Sequence, residues 1–74
     1  MAKAKADSGV YRVTEVIGSS EISWEDATRN AVKTAAKSLR DLRIAEVTKL
    51  DVKIENGKVA AFRARLSLSF KYES

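Results

Sequence analysis

The chain has 74 residues, with no cysteine and no histidine, and 14 Lys+Arg stand against 10 Asp+Glu for a formal net charge of +4. Those counts exclude disulfides, thiolate zinc sites and any chemistry that needs an imidazole base. A single domain of this size buries only about 60% of its unfolded surface, so oligomerisation is the stabilising device left, with a carboxylate-bound hard cation as a supplement.

The first nine residues, "MAKAKADSG", are small, polar and basic, and read as a disordered leader ahead of one domain over residues 10–74. No run approaches the ~18–20 continuous apolar residues of a membrane span. Nothing has the charged start and apolar core of a signal peptide, so a cytoplasmic location is expected. Lys3 and Lys5 fall in the leader and the other cations are interspersed with acids. That pattern predicts a solvated surface rather than a nucleic-acid footprint.

From Val10, "VYRVTEVIG" has the β-branched and aromatic content of a strand ending at Gly18. Apolar residues on both of its faces predict cover on both sides. "GSSEIS" then reads as a turn with Ser23 as helix N-cap, Asp26 as a weak capping-box partner, and Ile22 stapling onto Ala27. A helix is expected from about Trp24 to about Asp41. Trp24, Ala27, Ala31, Val32, Ala35, Leu39 and Leu42 form its apolar stripe and Arg29, Lys33, Lys37 and Arg40 its basic face. An aromatic on that stripe is ordinarily core, and Trp24 is read so rather than as a ligand platform.

The chain must turn near Leu42 and Arg43 without a glycine. In the strand that follows, Ala45 and Val47 point one way and Leu50, Val52 and Ile54 the other, so the alternation slips at Thr48–Lys49. Either a β-bulge lies there or the strand passes between two environments. "ENGK", Glu55 to Lys58, is a two-residue type I′ hairpin signal. The last strand alternates from Ala60 to Tyr72, which at ~3.3 Å per residue spans ~40 Å. A helix of about 18 residues at ~1.5 Å each covers ~27 Å, so other subunits must cover the rest. The fold class is therefore α+β: a β-α-β-β subunit with a three-stranded antiparallel sheet wrapped around one helix, built into a closed oligomer.

The order and spacing of "VYRVTEVIGSS", "SWEDATRNAVKTAAKSLRDLR", "EV" and "SFK" resemble the dodecin family over Val10 to Tyr72. The resemblance implies a β-α-β-β subunit, twelve of which form a hollow shell with 23 symmetry. It also implies non-enzymatic binding and storage of a small ligand, a flavin in the best-known members. There the flavin stacks on a Trp in "D-W-F-E-V" and meets a Gln on the last strand. Here Ile44 stands where the Trp belongs and Arg63 where the Gln belongs. Both departures argue against ordinary flavin binding: one removes a stacking face and the other replaces a neutral amide with a group suited to anions. "DLRIAEV", Asp41 to Val47, is more similar to the "D-I-R-V-A-R-V" of a branch that lacks the Trp and includes a calcium-binding form.

The expected ligand pocket thus comprises Ile44, Ala45, Glu46, Arg63 and Arg65. Glu15, Glu46 and Asp51 are the candidate metal ligands, with Glu55 a further strand acid. Calcium takes 6–8 oxygens, so any such site must be assembled across subunits. The ordinary alternative for each acid is an exposed carboxylate paired with Lys or Arg, and for Glu46 a bridge to Arg63 or Arg65 of a neighbour. Arg63 and Arg65 could also meet phosphates. No catalytic spacing is present. The expected partner is the chain itself as a homododecamer, plus a small molecule or ion, with neither membrane nor nucleic acid. Flavin is not the expected cofactor, and calcium is the alternative. A purely structural assembly is the competing reading.

Overall fold

The computed structural model describes residues 9–71. Tyr72 and all of the leader but Gly9 lie outside the described residues. Strand β1 is Tyr11–Ser20, helix α1 Trp24–Ala35, strand β2 Leu42–Glu55 and strand β3 Lys58–Lys71. The sheet is antiparallel with order β1-β3-β2, so β3 is central and both other strands are edges.

The helix begins where its cap dictates. Ser23 is extended, and its Oγ accepts the Asp26 amide at 3.0 Å, satisfying one of the donors that a first turn leaves without a partner. Asp26 does not complete a capping box. Its Oδ2 instead accepts from the Ser20 hydroxyl at 2.7 Å, tying the end of β1 to the helix. The staple also fails, because Ile22 is 77% exposed. We expect Ser23→Ala to cost about 1 kcal/mol, read as a lowered urea midpoint; an unchanged midpoint would deny the cap any energetic role.

The helix is 12 residues long and ends at Ala35, not near Asp41. Leu39 is carried on a non-helical segment: its amide reaches Ala35 O at 2.8 Å, and Asp41 adopts φ 57. A non-glycine residue in the left-handed region is uncommon, and Asp is among those that tolerate it. The sharp turn at Asp41 lets β2 start at Leu42 without a glycine. Asn56 (φ 52) and Gly57 (φ 74) form the expected hairpin.

The core lies between α1 and the middle of β3. Ala27, Ala31 and Ala35 pack on Ala64, Leu66 and Leu68, with Val16, Val32, Leu39 and Leu42 at the margin. At ~1.5 Å per residue the helix spans ~18 Å, against ~46 Å for the 14 residues of β3 at ~3.3 Å each. One helix therefore leaves much of the sheet uncovered. Val47 and Leu50 remain 43% and 53% exposed, and Val13 and Ile17 of β1 are also exposed rather than covered on both sides.

The slip in β2 is a bulge. Val47 lies opposite Leu66 and Lys49 opposite Arg65, so Thr48 is the extra residue, and a second irregularity at Arg43 separates Leu42 from Ile44. The Thr48 hydroxyl donates to Arg65 O at 3.2 Å, partly replacing the broken ladder. Ala45, Val47, Leu50 and Val52 consequently share the helix-side face, opposite Leu68, Leu66, Ala64 and Phe62. Their division between two faces, as simple alternation predicts, is not what occurs.

Candidate functional site

The register shifts at Arg43 and Thr48, with a third between Lys53 and Ile54, determine which side chains meet. Ile44 lies opposite Ser69, Glu46 opposite Ser67, Lys49 opposite Arg65 and Asp51 opposite Arg63. On the other side of β3, Glu15 lies opposite Ser67, Ile17 opposite Arg65 and Ser19 opposite Arg63. Since side chains alternate across a strand, all of these occupy the face of the sheet turned away from α1. Ile44, Glu46, Arg63 and Arg65 of the expected pocket share this open face, and so do Glu15 and Asp51. Ala45 does not: it lies on the helix side, in a recess of about 110 Å³ formed with Val32, Leu42, Arg43 and Leu68 at the irregular start of β2, whose edge Ile44 also borders. Ligand pockets usually enclose ~300–1,000 Å³, so this recess needs a wall from another subunit to hold an organic ligand.

Electrostatics organise the open face. Arg63 grips Asp51 in a fork, Nε to Oδ1 at 2.8 Å and Nη2 to Oδ2 at 2.9 Å. Bidentate pairing of this kind is the strong, directional form of an ion pair. The hydrogen bond from Arg63 holds the Asp51 carboxyl below its ordinary range, and the same contact raises Arg63. Arg65 reaches Glu15 at 3.7 Å, a single longer contact, while Lys49 stands directly opposite Arg65. These acids are met inside the subunit: Arg63 and Arg65 pair with Asp51 and Glu15, and Glu46 makes no side-chain ion pair among the described residues.

Glu15 and Glu46 flank Ser67 in one cross-strand row, with backbones ~10 Å apart at ~4.8 Å per strand. Among the described residues no three acids gather to hold a metal ion. Glu55 is drawn to Lys53 at 3.2 Å near the hairpin, away from that row.

Lys49 is not singled out by the sequence: the slip at Thr48–Lys49 is visible there, but not that it sets Lys49 opposite Arg65. Trp24 is neither enclosed core nor part of the open face. It is 38% exposed, packs edge-on against Phe62 at 5.1 Å, and donates its indole N–H to Asp51 O at 3.0 Å. No helix among the described residues is long and apolar enough to cross a membrane.

Comparison with known proteins agrees with this geometry. The family model described as Dodecin matches residues 10–73. The calcium dodecin of Mycobacterium tuberculosis is 39% identical over 62 residues, covering 84% of this chain and 87% of that protein. Among solved structures, dodecin from Streptomyces coelicolor superposes with a TM-score of 0.85 at 43% identity, covering 92% of this chain and 97% of that one. The crystal structure of calcium dodecin from M. tuberculosis, described as having a novel calcium-binding site, gives 0.79 at 37% identity, with 88% and 93% covered. Element order, sheet topology and these similarities together establish that the chain belongs to the dodecin family.

Proposed function

We propose that twelve copies of this chain close into a hollow cytoplasmic shell that binds and sequesters a small ligand without catalysis, and that this ligand is not a stacked flavin. The carrying observation is the composition of the open face. Ile44 presents no ring there, and Arg63 is occupied by Asp51 rather than projecting a neutral amide. Loss of a stacking partner removes about 0.5–1.5 kcal/mol beyond simple burial. The chain has no His or Cys, and among the described residues no three acids gather into a cluster, which supports a binding role over catalysis. The uncovered apolar residues on both sheet faces support assembly.

Riboflavin fluorescence titration is the test. Little quenching is expected from the natural chain, and measurable quenching from the double variant Ile44→Trp with Arg63→Gln. Tight quenching by the natural chain would sink the reading.

A calcium-binding role is the second reading, supported by the similarity to calcium dodecin and by the Glu15–Ser67–Glu46 row. Symmetry-related copies would have to complete the oxygen shell. Titration calorimetry then shows a calcium heat that Glu46→Ala abolishes; a heat that survives this substitution excludes the row.

A further inference from the structure

We propose that the open face carries an anion site built from Arg63, Arg65 and Lys49, and that Asp51 sits in its seat as a tethered competitor. The proposal rests on the reading of the chain as a small-ligand binder and names the ligand class: a phosphate monoester or inorganic phosphate.

Three observations carry it. The Asp51 carboxylate takes both donors of the Arg63 fork, as a bound carboxylate or phosphate would. Lys49 and Arg65 are directly opposed on neighbouring strands, an arrangement of like charges that destabilises a sheet. Glu15 offsets it only through one contact at 3.7 Å. Finally, Arg63 and Arg65 are two residues apart on one face of β3, ~6.6 Å at ~3.3 Å per residue, close enough for two flexible side chains to share one tetrahedral anion.

Charge decides the ligand class. A free monocarboxylate would exchange one anion for another on Arg63 while competing with a group already tethered beside it, whose effective concentration is in the millimolar range or above. It gains nothing from Arg65. Phosphate carries between one and two negative charges near pH 7 and three or more acceptor oxygens. It can bridge Arg63 and Arg65 with Lys49 alongside, and so outcompete Asp51 where a carboxylate fails. Displaced, Asp51 can turn toward Lys53, its neighbour on the same face, which also holds Glu55 at 3.2 Å.

The experiment is calorimetric titration of the assembled protein with inorganic phosphate, and separately with acetate, at fixed ionic strength. Asp51→Asn removes the competitor and is expected to bind phosphate about tenfold or more tightly than the natural chain, as loss of one charge-assisted contact implies. Arg63→Gln, alone or combined with Asp51→Asn, is expected to lose that binding, and acetate to show no such gain. Asp51→Ser serves as a second release variant. Phosphate isotherms of Asp51→Asn and Asp51→Ser that match the natural chain overturn the proposal, and so does an equal gain that persists without Arg63. Light scattering on the same samples separates the two ideas: a small mass defeats the shell, whereas unchanged isotherms at intact mass defeat the anion site alone.

Discussion

Replacing Gly18 by alanine is expected to destabilise the subunit by about 3 kcal/mol or more, at the upper end of overpacking costs. A methyl group at Gly18 would run into the carbonyl oxygen of Ala27 and come within 2.8 Å of Ala31 Cβ. The first obstacle is helix backbone, which no rotamer change relieves. Gly18 lies opposite Ala64 at the point where α1 rests on the sheet, so relief requires lifting the helix off Ala64 and Leu66. A small domain has roughly 5–15 kcal/mol in hand, and Gly18→Val should leave little folded protein. Gly57 supplies the control. A side chain there meets nothing within 4 Å but must hold φ 74, so Gly57→Ala should cost only about 1–2 kcal/mol of left-handed strain. Urea unfolding followed by Trp24 emission measures both, and equal losses at the two glycines would show that close approach at Gly18 is unimportant.

Leu50→Asp should dissociate the assembly while sparing the subunit fold. Leu50 is on the helix-side face but beyond the cover of α1, and with Val47 it forms an apolar surface that one subunit cannot bury. In a closed shell every copy repeats the defect, so each lost contact is paid at every equivalent interface. Burying an unpaired carboxylate costs several kcal/mol, enough to dominate a contact between small subunits. Gel filtration with light scattering should move from about twelve times 8.1 kDa toward one or a few subunits, with circular dichroism retaining helix and strand. A shell-sized mass for the variant would place the interface elsewhere.

Much of the subunit was legible beforehand for local reasons. Asn56-Gly57 encodes two positive φ angles, Ser23 encodes a cap, and the regular alternation of Ala64, Leu66 and Leu68 encodes a buried face. The helix end was misjudged because the apolar spacing continues through Leu39 and Leu42. Both residues do join the core, but from an irregular segment that turns at Asp41. Periodicity reports burial, and here burial outlasted the helix.

For a candidate site the sequence offers residues one by one but not their arrangement. Ile44, Glu46, Arg63, Arg65, Glu15 and Asp51 could be named one by one, and the open face does gather them. Ala45 lies on the other face, and neither the place of Lys49 nor the fork between Arg63 and Asp51 can be read along the chain. The last two follow from the bulge at Thr48, whereas Ala45, which precedes it, is set on the helix side by its pairing with Leu68. A one-residue shift exchanges the faces of everything beyond it, so a strand read alone cannot say whether a break in alternation moves its apolar residues apart or keeps them together. The pairing partner resolves that. Once Arg65 lies opposite Lys49 and Arg63 opposite Asp51, opposite charges close into a fork and like charges are forced together.

The sequence by itself determined what depends on neighbours along the chain: the order of elements, the hairpin, the cap, the absence of thiol and imidazole chemistry, and the family. Only the tertiary structure decided where α1 stops, which face of β2 carries its charges, and that Asp51 occupies Arg63. Those outcomes depend on residues far apart in the chain that meet through strand register, and register is an energy shared between strands rather than a property of either one.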